Sequence, residues 1–152
     1  MKLDRIQTMF YSMGKSGCLA LDYVAAAKII HDNIHNLDVG CSKVKHYGFF
    51  YEDLFGGLIR AIESDTVDSD GWVKDPNTLI SLQSNYNVVV EKVAIKSLDE
   101  IKDELYCANF TYNGYNHWVL CYNNEIIFDS LNDSKCVKFG KPTSARVIHI
   151  KG

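Results

Sequence analysis

The chain has two prolines in 152 residues, no low-complexity stretch and no internal repeat, so no Pro-rich or Gly/Ser-rich linker divides it. A single domain spanning residues 1–152 is the expectation, with an apolar fraction of 47% ample for one core. Cysteine is unpaired in pattern: Cys18, Cys41, Cys107, Cys121 and Cys136 are odd in number and no two have CxxC spacing. That spacing argues against both a disulfide framework and a zinc ribbon, and favours reduced thiols in a cytoplasmic setting. Uninterrupted apolar runs of bilayer length are missing, and Met1-Lys2-Leu3-Asp4-Arg5-Ile6-Gln7 alternates charge with apolar residues, so neither a membrane span nor a secretory leader is expected. A basic excess is missing too. With a formal charge of −3 and scattered lysines there is no field to collect phosphates, and nucleic acid is not an expected partner.

What is present reads as helices first and a sheet second. Leu19 to Ile34 has amphipathic helical spacing, and Leu54, Leu58, Ile59 and Ile62 place a second helix over Tyr51–Glu63, where Gly56-Gly57 suggests a close contact. Asp75 is suited to cap a short helix that starts with Pro76. Val88 to Ile95 reads as a strand, and Ser97-Leu98-Asp99-Glu100 has the spacing of a capping box opening a helix to about Leu105. From there short β-branched or aromatic runs follow: 107–112, 117–122, 125–129, 136–139 and 145–150. The layout is α+β, with N-terminal helices packed on a C-terminal antiparallel sheet.

Chemistry enters at Cys18, which follows Gly17 and opens the first helix. Unpaired N–H groups and the positive end of the helix dipole stabilise a thiolate there. A base is available in the hairpin His117–Asp129, and its register decides the geometry. With a two-residue loop, Asn123-Asn124, His117 pairs with Ser130 and Asp129 points to the other sheet face. With a three-residue loop, His117 faces Asp129 at a Cβ separation of roughly 5 Å. In that second register the chain supplies nucleophile, base and orienter. Cys107 and Cys121 lie in strand-like stretches and read as packing residues.

The elements carrying Gly-Cys-Leu-Ala, then His-Trp-Val-Leu, a hairpin and Ile-Ile-Phe-Asp resemble, in their order, the C39-like branch of papain-like cysteine peptidases. More loosely, Asp70-Gly71-Trp72-Val73-Lys74-Asp75-Pro76 is similar to segments of small uncharacterised proteins of spirochaetes and their phages. The resemblance implies a papain-like fold, a Cys18–His117–Asp129 triad, no cofactor, and an amide substrate such as a peptide or a peptidoglycan cross-bridge. It also implies a Gln six residues before the nucleophile to help hold the oxyanion. Ser12 stands there, and Gln7 is the nearest Gln, so one of the two takes that role or the chain is a non-catalytic, phage-derived binding or structural module.

Two rival sites are weaker. His31 and His35 lie one helical turn apart, with no obvious third ligand and Cys41 and His46 as candidates, yet adjacent histidines at a helix end commonly serve terminal carbonyls, and no metal is expected. The acidic stretch from Glu63 to Asp70 lacks the loop of a calcium site and reads as a solvated turn.

Overall fold

A computed structural model describes residues 17–37, 51–130 and 134–152. Three helices come first: α1 (Cys18–Leu37), α2 (Tyr51–Glu63) and α3 (Pro76–Ser84). Five strands follow: β1 (Val88–Ala94), β2 (Leu105–Tyr112), β3 (Tyr115–Tyr122), β4 (Glu125–Phe128) and β5 (Lys141–Ile150), with a short helix α4 (Lys135–Phe139) before the last. The strands form one antiparallel sheet in the order β1-β5-β2-β3-β4, so the architecture is α+β with helices preceding the sheet.

Period-two alternation gives each sheet face its own core. On one face Leu105, Cys107, Leu120, Tyr122 and Ile148 pack with the helices. On the other Tyr106, Ala108, Val119, Cys121 and Val147 pack with Ile95, Ile101 and Cys136 of α4. Helix α1 is central: Ala20, Tyr23 to Ala27, Ile29 and Ile30 are all buried, a helix apolar on most of its circumference because it has neighbours on several sides. Gly57 marks one close approach. A Cβ there would lie 2.3 Å from Val24 Cγ1, so only glycine lets α2 sit against α1.

The expected cap of α3 is present: Asp75 accepts a hydrogen bond from the Thr78 N–H at 3.1 Å, and Pro76 is the first helical residue. Two expectations are corrected. The capping box at Ser97 and Glu100 forms, but it opens only a single 3₁₀ turn, Leu98–Glu100, and the chain is extended again at Ile101. The loop is captured from outside, since the Asp103 N–H donates to Asn123 Oδ1 at 2.7 Å and Tyr106 Oη donates to the Asn123 carbonyl. That tertiary contact ends what local propensity would have continued. The run 136–139 is helix α4 and not a strand. Its Gly140 N–H returns to the Cys136 carbonyl at 2.9 Å, and Gly140 packs so tightly on Thr111 that a Cβ would sit 2.2 Å from its carbonyl oxygen. Four apolar-rich residues cannot themselves distinguish helix from strand.

Candidate active site

Cys18 is the first residue of α1, because the Leu21 N–H donates to the Gly17 carbonyl at 3.0 Å and makes Gly17 the cap. Beside it stands the start of β3. Strand β4 pairs only with Leu120 to Tyr122, which leaves the Trp118 N–H open to the Cys18 sulfur. His117 is buried, at 3% exposure, and its Nε2 lies 2.6 Å from Asp129 Oδ1. The other ring nitrogen is left for Cys18, with which His117 shares a hydrogen bond. The structure therefore brings the three residues into one hydrogen-bonded chain, with His117 in the middle.

The hairpin achieves this by a route that neither simple register anticipates. Its loop is the two-residue Asn123-Asn124, with Tyr122 opposite Glu125 and Cys121 opposite Ile126. Carried on unchanged, that register would turn Asp129 away from His117. A bulge between Leu120 and Cys121 intervenes: Phe128, not Ile127, opposes Leu120. Ile127 is the extra residue, and it flips every later side chain of that strand to the opposite face. Asp129 thus returns to the face of His117. The bulge is invisible to loop-length reasoning.

The electrostatics follow from these contacts. Burial alone would raise the Cys18 thiol, but the hydrogen bond to His117, the Trp118 N–H, the His117 charge and the Leu19 N–H outweigh it and leave it lowered. Burial likewise lowers His117, whereas the hydrogen bonds to Asp129 and Cys18 and their charges raise it to about 9. The two shifts favour the same state, thiolate beside imidazolium. Cys107 behaves in the opposite way: buried in the core, it is pushed well above the ordinary thiol range by desolvation first, and Cys121 is raised likewise. Their reading as packing residues agrees with this.

One member of the site has no counterpart in the sequence reading. Asp22, one helical turn after Cys18, is fully buried, and neither carboxyl oxygen has a hydrogen-bond partner. Desolvation first, then the charges of Cys18 and Asp129, hold its carboxyl well above the usual carboxylate range. A signal was there to find: Asp22 is the only polar residue between Leu19 and Ala27. A lone acid in an apolar run, on the same helical face as a helix-start cysteine, is a buried group in search of a role.

Ser12 and Gln7, the expected oxyanion partners, lie outside the described residues, as do Cys41, His46 and the side chain of His35. His31 is exposed and its Nδ1 pairs with Asp32 Oδ1 at 2.9 Å. Among the described residues no cluster of His, Cys, Asp and Glu could hold a metal ion. The stretch from Glu63 to Asp70 closes on itself, with Asp68 Oδ1 accepting from the Asp70 and Trp72 N–H groups at 2.9 and 3.1 Å. Among those residues, too, no helix is long and apolar enough to cross a membrane.

Comparison of the whole chain with protein-family models, with curated proteins and with solved structures returns no match in any of the three. The site's own geometry is the ground for a functional reading.

Proposed function

We propose that the chain is a cysteine peptidase or amide hydrolase of papain-like fold, acting through Cys18, His117 and Asp129. The observation that carries this is His117, a buried imidazole bonded on one side to a carboxylate and on the other to a helix-start thiol. Nothing about packing requires that arrangement. An imidazole with one neighbour is a common strand residue, whereas one clamped between these two has its tautomer, orientation and charge assigned.

In the proposed reaction the Cys18 thiolate attacks the amide carbonyl carbon, and the C–S bond forms as charge moves to the carbonyl oxygen. The Cys18 backbone N–H at the start of α1, with Ser12 or Gln7, receives that oxyanion. His117, as imidazolium, gives its proton to the leaving nitrogen, and the C–N bond breaks to leave a thioester. Water then attacks the thioester while His117 takes its proton back, the C–S bond breaks, and carboxylic acid and thiolate are released. Asp129 keeps the ring turned toward Cys18 throughout and stabilises the imidazolium. One water is consumed per bond, and the protein's own side chains carry every proton, so the proposal calls for no cofactor. The substrate class is a peptide, an isopeptide or a peptidoglycan cross-bridge. Nucleic acid and membrane have no part in the proposal, and a cytoplasmic setting fits the lowered, unpaired thiol.

A second reading, a papain-like binding or structural module without turnover, is favoured by Ser12 standing where the resemblance implies Gln. Losing one oxyanion donor costs roughly a hundredfold or more in rate. The deciding experiment is incubation with mixed peptides and with peptidoglycan fragments, alongside a peptidyl vinyl sulfone that traps nucleophilic thiols. The hydrolase predicts new amine termini and an adduct on Cys18, both abolished in Cys18→Ala and sharply reduced in His117→Ala. An adduct on Cys18 without any cleavage supports the binding module, and the absence of both adduct and cleavage overturns the proposal.

A further inference from the structure

Asp22 is a fully buried carboxyl beside the site that the proposed reaction leaves unused. Its carboxyl is fully enclosed, and both oxygens are unpartnered. Leaving a buried polar group unsatisfied costs about 1–3 kcal/mol, and such a group in a native fold calls for an explanation. Its position supplies one. Residues four apart on a helix are neighbours, and each Cα–Cβ bond tilts toward the helix N-terminus, so the Asp22 side chain leans back over the turn that begins with Cys18.

The surroundings then select the protonation state. On its own helix Asp22 lies one turn from Cys18 and adjoins Tyr23; from β2 comes Cys107, through the sheet from its far face acts Cys121, and from beyond β4 comes Asp129. Each of these groups is either neutral or, like the thiolate and Asp129, negative. Two cations lie in this region among the described residues, and neither hydrogen-bonds the Asp22 carboxyl: His117 is bound to Asp129 and Cys18, and Arg146, whose charge acts on Tyr23 and Cys107, lies over the Trp118 ring at 4.8 Å. A carboxylate there would be an uncompensated buried charge beside two others. A neutral carboxylic acid instead offers the feature that two anions lack, a donor O–H.

We propose that Asp22 is a positioning residue for the nucleophile: a neutral acid behind Cys18 whose O–H is donated to the sulfur once the thiol proton has passed to His117. No proton leaves Asp22 in this step. The Cys18 proton moves to the ring nitrogen, the sulfur becomes an acceptor, and the Asp22 hydroxyl turns onto it beside the Leu19 and Trp118 N–H groups. The inference rests on the proposed function and goes one residue further. Ketosteroid isomerase is the general precedent for a carboxylic acid kept neutral so that it can donate.

The test is the pH dependence of Cys18 alkylation by iodoacetamide, followed on the Cys18 peptide by mass spectrometry. Asp22→Leu is expected to move the midpoint upward and to slow alkylation below the midpoint by about tenfold or more, the factor one hydrogen bond to an ion is worth. Its rate at the alkaline plateau should match the wild type. Asp22→Asn, which keeps a donor of the same size, should restore most of the loss. An unshifted midpoint in Asp22→Leu, or a shift in Asp22→Asn as large as in Asp22→Leu, overturns the inference. Infrared spectroscopy of the wild type does not depend on any variant folding. A protonated-carboxyl C=O stretch, assigned to aspartate by its shift on carbon-isotope labelling, should be present at neutral pH and should move when Cys18 is alkylated, and its absence also overturns the inference. The two levels separate cleanly: if wild-type Cys18 reacts as an ordinary thiol and His117→Ala does not slow it, the hydrolase reading has failed. If those controls behave and only the Asp22 variants do not, Asp22 alone has been misassigned.

Discussion

Asp129 Oδ1 lies 2.6 Å from His117 Nε2 because Ile127, the extra residue of a β-bulge, turns Asp129 onto the histidine's side of the sheet. A single residue of register separates a coupled imidazole from an isolated one. Inserting one alanine between Phe128 and Asp129 should turn Asp129 to the opposite face and lower the His117 titration midpoint from about 9 by at least one unit, whereas deleting Ile127, which leaves Phe128 opposite Leu120, should keep Asp129 on the histidine's side. Asp129→Asn should reproduce that fall without altering the strand. Proton NMR of the imidazole ring against pH reads both.

The same contact links stability to pH. His117 has a folded pKa of about 9 against 6.5 when unperturbed, so the folded state holds its proton more tightly. The stabilisation is fully present below about pH 6.5 and is lost as pH rises toward about 9. The stability difference between wild type and Asp129→Asn should therefore shrink across that window by roughly 1–3 kcal/mol. Urea titrations at several pH values measure it, and a difference that grows with pH would be contrary.

Asp22 gives a slope from a different origin. Its folded pKa is raised, so the folded state carries a proton that the unfolded chain has already released above about pH 4. Stability should decline with pH above that value, by up to about 1.4 kcal/mol per unit until the folded group itself titrates. Asp22→Leu removes both the slope and the unsatisfied carboxyl, and should be more stable than the wild type near neutrality by about 1–3 kcal/mol. Thermal melts at two pH values suffice, and the gain should be larger at the higher one.

Two adjacent glycines should respond in opposite directions. Gly57→Ala would put a methyl 2.3 Å from Val24 Cγ1 and 2.9 Å from Gln83 Oε1, and should destabilise by about 1–3 kcal/mol. At Gly56 the nearest atom is the mobile end of Arg60, at 3.2 Å. Gly56→Ala should therefore stabilise α2 by about 0.5–1 kcal/mol through helix propensity. Denaturant midpoints of the two variants check the contrast.

Much of this was legible in the residues. Periodicity placed α1 and α2, the Asp75-Pro76 pair marked α3, and the turn-separated apolar runs gave an antiparallel sheet. What could not be read depends on distant contacts. The Ser97 capping box was present but the helix it announces was cut short by Asn123, twenty residues away. Helix α4 owes its conformation to docking on Thr111. The pairing of His117 with Asp129 required a bulge whose only sequence trace is two consecutive isoleucines of near-equal β propensity. Asp22 is not singled out in the sequence analysis, and its burial beside Cys18 and Cys107 becomes evident only when α1 is laid on the sheet.

The central claim is that Cys18 exists as a thiolate held by His117, and its alkylation rate tests that most directly. Cys107, Cys121 and Cys136 are buried and make poor references, so the comparison belongs with a free solvent-exposed thiol and with His117→Ala. At about pH 6, well below the ordinary thiol pKa, wild-type Cys18 should react with iodoacetamide at least about tenfold faster than the free thiol. His117→Ala should abolish that advantage. A Cys18 that reacts no faster than the free thiol, or just as fast without His117, would contradict the account.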